Sequence, residues 1–292
     1  MREMRRKDRL VSDVNEIKDI IRQGKTCWVA IVDNGIPHMI SLNYDSNFLG
    51  GGTLELYLHC NLSNENLDIF KKSNDVCFEI SHDEGMHIDI DTPGKSTLYY
   101  SSVIGNGEMV FSETQIEKMA TVPLPVINQL DVNIAKAIIS QNKTCHIAMS
   151  DSGTPYIVPL SYGSNFVNNN TLELYFHSAI EGRKIDALKK TNKVCFEIES
   201  AEENFVAGNG EVLFLEGEEK LTALSAMFKQ QSGKDIVVND AMARGICVYK
   251  MVSTDFLVRS KQLQIGAELN DENCVCKIVS MNYAAKRNRQ LV

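Results

Sequence analysis

The stretch of this sequence best suited to chemistry reads Tyr175-Phe176-His177-Ser178-Ala179, then Glu181-Gly182-Arg183-Lys184-Ile185-Asp186-Ala187-Leu188. A strand end, a glycine and two cations in the first turn of a helix form an anion site, where unpaired backbone N–H groups and side-chain charge act on one ligand. That combination suits a phosphate. Elsewhere there is no Ser/His/Asp order, P-loop, GxGxxG after a strand, or HExxH. His82, Asp83, Glu84, His87, Asp89 and Asp91 crowd one stretch, but a mixed acidic run ending at Thr92-Pro93-Gly94 reads as a solvated loop rather than a metal site. Cys274-Val275-Cys276 lacks metal spacing and a second pair.

The elements that must hold the anion site occur twice. Shifted by about 118 residues, the chain aligns with itself, with about 27 identities in the roughly 56 ungapped positions from Lys25 to Ile80. Lys25-Thr26-Cys27 returns as Lys143-Thr144-Cys145, and Thr53-Leu54-Glu55-Leu56-Tyr57 as Thr171-Leu172-Glu173-Leu174-Tyr175. Val76-Cys77-Phe78-Glu79-Ile80 returns as Val194-Cys195-Phe196-Glu197-Ile198. A repeat this long is a whole domain, so the chain is a tandem duplication. The copies differ where the chemistry lies. The first has His59-Cys60-Asn61-Leu62-Ser63-Asn64-Glu65-Asn66 in place of the anion segment, without the glycine or the cations.

Each copy opens with a short amphipathic helix: Ser12 or Asp13 caps the first above Val14, Ile17, Ile20 and Ile21, and Asp131 caps its counterpart. Strands follow, with Asp-x-Gly turns at Asp33-Asn34-Gly35 and Asp151-Ser152-Gly153 marking hairpins. The alternate glycines of Gly105-Asn106-Gly107 and Gly208-Asn209-Gly210 imply close approach of another backbone or of a flat ligand. Val122-Pro123-Leu124-Pro125 reads as a linker. The expected domains are 1–125 and 126–261, with 262–292 an extension that has no counterpart in the first copy. Many short antiparallel strands with few helices predict a mainly β chain of two small barrels packed as a pseudo-dimer.

Composition narrows the classes of function. The net charge is −8 with 23% charged residues, and no basic block follows the first few residues, so a nucleic-acid partner is not expected. No run approaches the length of a membrane span. Eight cysteines without a secretory signal imply reduced thiols and a cytoplasmic protein. Cys27, Cys77, Cys145 and Cys195, in register between the copies, read as small buried hydrophobes.

Taken together, Tyr156-Ile157-Val158-Pro159-Leu160-Ser161-Tyr162-Gly163, Tyr175-Phe176-His177-Ser178-Ala179 with Gly182-Arg183-Lys184, and Asn192-Lys193-Val194-Cys195-Phe196-Glu197 resemble the FMN-binding split barrels of the pyridoxamine 5'-phosphate oxidase-like superfamily, in its nitroimidazole-resistance (Nim) branch. Met4-Arg5-Arg6-Lys7-Asp8-Arg9 and Ser102-Val103-Ile104-Gly105-Asn106-Gly107 look like that branch too. The resemblance covers about 1–261 as two copies. It implies a six-stranded split barrel that dimerises, with FMN in a cleft built by both subunits. On that basis Arg183 and Lys184 hold the phosphate, helped by Ser178. His177 lies near the phosphoribityl end or the ring, and Pro159, Leu160 and Ser161 run along the isoalloxazine. Ser102 and Val103 supply a facing wall from the first copy, while the second has Phe205-Val206-Ala207-Gly208 at those positions. The expected result is one composite flavin site in a fused pseudo-dimer, with a small-molecule substrate and no nucleic-acid or membrane partner. The implied activity is an FMN-dependent oxidoreductase that reduces a nitro or quinone-like acceptor; FAD or a deazaflavin is the lesser cofactor choice. The rival expectation is a non-catalytic flavin- or haem-binding module.

Overall fold

The computed structural model describes residues 7–59, 72–87, 97–111, 132–200, 204–260 and 276–288. The linker at 122–125, the segment 61–66, Asp131 and Asp89–Gly94 lie outside them. The chain runs β1 (Leu10–Val11), α1 (Val14–Gln23), β2 (Cys27–Asp33), β3 (Ile36–Phe48), β4 (Leu54–His59), β5 (Asp75–His87) and β6 (Thr97–Phe111). It continues α2 (Val132–Gln141), β7 (Thr144–Asp151), β8 (Thr154–Ser161), β9 (Gly163–Asn168), β10 (Thr171–Ala179), α3 (Arg183–Lys190), β11 (Lys193–Glu199) and β12 (Asn204–Leu215). The remaining elements are α4 (Gly217–Ser232), α5 (Asp240–Ala243), β13 (Ile246–Ser260) and β14 (Cys276–Asn288).

Local chemistry accounts for much of this. Asp13 caps α1, its Oδ1 accepting from Asn15 N at 2.7 Å and Glu16 N at 3.0 Å. The hairpin turns place Asn34 and Gly35, and again Ser152 and Gly153, at positive φ. Such two-residue turns match the strand twist. Alternation on β10 sends Leu172, Leu174 and Phe176 into the core. By contrast, β2 and β7 are almost continuously buried, because each has two apolar environments. Cys27, Val29 and Ile31 fill the first core, while Trp28 and Ala30 join Ala148, Ile157, Cys77 and Cys195 in a cluster between the two sheets.

Each sheet closes into a six-stranded barrel. In the second, β13 pairs with both β10 and β12, and β8 and β9 form one strand bent at Tyr162. The bend lets α4 pack directly on the strand, since a Cβ on Gly163 would stand 2.7 Å from the Met227 backbone. In the first, the closing strand is β14, which pairs with β4 and with β6.

This placement of β14 differs from the expectation that 262–292 stands outside both copies. Lys277-Ile278-Val279-Ser280-Met281-Asn282-Tyr283 repeats Lys250-Met251-Val252-Ser253-Thr254-Asp255-Phe256 at an offset of about 27 residues. The registers agree: Tyr57 opposes Lys277 as Tyr175 opposes Lys250, and Gly105 opposes Tyr283 as Gly208 opposes Phe256. Ser280 Oγ donates to Asn106 O at 2.7 Å, and Ser253 Oγ donates to Asn209 O, at matching irregularities. A barrel with an open edge leaves a row of unpaired backbone groups, and β14 covers that edge. The alternate glycines serve this closure. A Cβ on Gly107 would meet Val279 O at 2.7 Å, and one on Gly210 would meet Val252 O at 2.8 Å. Backbone approach explains both.

The stretch from His82, read from sequence as a solvated loop, instead extends β5 to His87 and starts β6 at Thr97. Cys27, Cys77, Cys145 and Cys195 are buried and not in disulfides. No described helix is long and apolar enough to cross a membrane.

Candidate functional site

The first turn of α3 carries Arg183 and Lys184 behind Gly182, whose φ of 134° suits only glycine. No side chain caps this helix, and nothing stands within 4 Å of the Gly182 Cβ position. The first turn thus carries two cations with no side-chain cap at its start. Arg183 Nε donates to Asp151 Oδ2 at 2.9 Å, and the guanidinium lies 4.1 Å from the Tyr156 ring centroid. Burial raises the Asp151 pKa, but the bonds from Arg183 and Lys190 outweigh it and hold the carboxyl below its ordinary value. Asp151 thus fixes the Arg183 guanidinium over Tyr156.

The Lys184 charge is felt at His177 and, more weakly, at Cys247. Solvent reaches the His177 ring, but the surrounding protein withholds full hydration; that desolvation, then the Lys184 charge, lowers its pKa to about 4. The ring is neutral at pH 7. Ser178 Oγ donates to Ala179 O at 2.9 Å. Pro159 is buried opposite His146 in the β7–β8 ladder, Leu160 packs on the second core, and Ser161, half-buried, opposes Thr144.

The first barrel contributes the opposite wall. Val103 is wholly buried in the first core, so its side chain does not face the cleft. Alternation turns Tyr100, Ser102, Ile104 and Asn106 to the other face, and Asn106 Nδ2 reaches Pro155 O at 3.4 Å. Ser102 is fully buried, and its hydroxyl has no hydrogen-bond partner. Opposite it in the ladder stands Lys286 of β14, 5.0 Å from the Tyr100 ring centroid. Lys286 also acts electrostatically on Tyr156, the ring that carries Arg183. Arg183 and Ser102, from opposite halves of the chain, are thereby linked through Tyr156 and Lys286. Sequence reasoning did not nominate Tyr100, Tyr156 or Lys286; the heptapeptide repeated in β13 and β14 was the available signal for the last.

At the symmetry-related position Phe205 stands where Ser102 would and is 6% exposed. On that flank lies a shallow cavity of about 470 Å³ between Ile36 and Lys193, Asn209, Glu211 and Asp255. It has one cation against two acids, so it does not favour a phosphate.

Residues 131–245 match the family described as pyridoxamine 5'-phosphate oxidase. This part of the chain is similar to that family. The match spans α3 with Arg183 and Lys184, and ends before β13 and β14. No curated protein matches the chain. Among solved structures, a putative 5-nitroimidazole antibiotic resistance protein from Bacteroides thetaiotaomicron is 20% identical, covering 70% of this chain and 94% of its own, with a TM-score of 0.40. A putative pyridoxamine 5'-phosphate oxidase from Listeria innocua is 18% identical over 44% of this chain and 98% of its own, with a TM-score of 0.35. An FAD-binding protein from Mesorhizobium loti is 17% identical over 44% and 94%, with a TM-score of 0.34.

Proposed function

We propose that this protein binds one FMN per chain in the cleft between its barrels and works as an oxidoreductase, reducing a small nitro or quinone-like acceptor. The reading is carried by the helix start bearing Arg183 and Lys184, which has no side-chain cap, and by its link through Tyr156 and Lys286 to the orphaned, buried Ser102 hydroxyl of the other barrel. The residues fit such a group. Helix N–H groups and two cations suit a phosphate, and Ser102 has an unused donor for a ring acceptor.

The flavin, when bound, supplies the redox chemistry. The chain's own residues bind and orient. Arg183, held by Asp151, and Lys184 take the phosphate, with Ser178 at the adjoining strand end. His177, neutral at pH 7, can donate a hydrogen bond without adding charge. Backbone at Pro159, Leu160 and Ser161 borders the ring, and Tyr156 and the β6 wall exclude water from it. One phosphate-binding cluster favours FMN over FAD.

Released-ligand mass spectrometry with absorbance counting tests this. The expected result is FMN near one per chain, with flavin bands that bleach on anaerobic addition of a nicotinamide or chemical reductant and return with a nitroaromatic or quinone. A stoichiometry near two sinks the single composite site. Bound flavin that turns over no acceptor makes the protein a binding module.

A further inference from the structure

Lys286 of β14 stands beside a tyrosine ring, with its ammonium over the Tyr100 face. Among the described residues no carboxylate lies in ion-pair contact with it; Glu79, the nearest acid to influence it, pairs instead with His146. Desolvation disfavours its charge, but Tyr100, Tyr156 and Glu79 outweigh that and keep the ammonium charged. Its ammonium lies 5.0 Å from the Tyr100 ring centroid, and its backbone opposes Ser102, the buried serine with an idle hydroxyl. The cluster therefore combines one cation, two tyrosine rings and one free hydroxyl, on the opposite wall from the phosphate-binding turn. A cation beside aromatic rings suits a planar heterocycle whose carbonyl oxygens carry negative charge, and a serine adds a directional donor. A phosphate, by contrast, is met at the α3 end.

We infer that Lys286 binds the ring end of the flavin, so that β14, which lies outside the family-matched segment, completes the cofactor site as well as the first barrel. This rests on the flavin reading above and goes beyond it by assigning the two ends of the ligand to the two ends of the chain. The same strand that closes the barrel brings the cation opposite Ser102. Truncating the chain after β13 thus removes both an edge and a binding group.

The test titrates FMN and riboflavin, which lacks the phosphate, into wild-type, Lys286→Met and Arg183→Met proteins and follows flavin fluorescence. A charged contact to a ligand acceptor is worth about tenfold or more in affinity. Lys286→Met is expected to weaken FMN and riboflavin by the same factor, about tenfold, and Arg183→Met to weaken FMN alone. Lys286→Gln, polar and of similar length, carries the same expectation if the methionine variant melts early. FMN binding in the wild type with riboflavin affinity unchanged in both Lys286 variants overturns the inference and leaves the flavin reading standing. A wild type that binds neither flavin overturns both.

Discussion

Trp28 and His146 stack face to face, with ring centroids 3.5 Å apart and planes 15° from parallel. They occupy the same position in the two copies, so the pseudo-twofold axis relating the barrels passes between their rings. The aligned acids follow the same symmetry: Trp28 Nε1 donates to Glu197 Oε1 at 2.9 Å, and His146 Nε2 lies 3.1 Å from Glu79 Oε2. Each half thus gives a ring N–H to the other half's glutamate in a dry interface. A homodimer would place two identical residues on the axis. Here a neutral indole faces an imidazole, so the two halves are no longer interchangeable.

Trp28 is the only tryptophan in the chain, and it is 5% exposed. Its emission therefore reports the barrel interface alone. We expect a blue-shifted native spectrum that moves red only when the barrels separate or unfold. Trp28→Phe removes the donor to Glu197 and should cost about 1–3 kcal/mol in urea unfolding. An unchanged midpoint would remove the interface from the stability of the fold.

The closing strand should behave as part of the first barrel. Ile278 is completely buried in the first core, and Ile278→Ala is expected to destabilise by about 2–5 kcal/mol. Deleting residues after 260 should go further and abolish hydrogen-exchange protection in β4 and β6, two of the strands β14 pairs with, while β10 to β12 keep theirs. Retained protection in β6 would show that another segment can close the edge.

Acid should weaken both barrels through matched clusters. Tyr57 first, and then Lys277, hold the Glu55 carboxyl below its ordinary 4.5 despite burial. In the other barrel burial raises the Glu173 pKa, but bonds from Lys250, Tyr175 and Asn165 bring it below 4.5. Because the folded pKa values lie below the unfolded ones, the unfolded state binds more protons, and this stabilisation is fully present above about pH 4.5. It fades as pH falls through the folded values. Glu55→Gln combined with Glu173→Gln should flatten that part of the stability profile. An equally steep fall in the double variant would place the acid sensitivity elsewhere.

Asp151 has a positioning role that can be separated from charge. Asp151→Asn keeps the size but loosens Arg183 from its place over Tyr156, so we expect weaker FMN binding by roughly tenfold, within the range of one charge-assisted hydrogen bond. Riboflavin binding should not change, since it lacks the group that Arg183 holds. Isothermal titration with both ligands checks this. A parallel loss for riboflavin would point to general damage to the cleft.

Short-range chemistry was sufficient for much of this molecule. The cap at Asp13, the Asn34-Gly35 and Ser152-Gly153 turns and the inward faces of the strands follow from residue types at short spacing, because caps, tight turns and alternation are local preferences, and the duplication follows from the chain's alignment with itself. The same holds for Gly182-Arg183-Lys184, where strand end, glycine and cations adjoin. Three features depended on tertiary structure. Which segment closes the first barrel is a choice between edges far apart in sequence; the repeated Lys-x-Val-Ser segment of β14 hinted at it, but pairing with β4 and β6 decided it. The alternate glycines left backbone or ligand open until the approach of Val279 and Val252 settled it. The Trp28–His146 axis, and the meeting of Lys286, Tyr100 and Ser102 with Tyr156 and Arg183, arise only once two closed barrels pack, because that packing alone brings residues a hundred positions apart into one dry space.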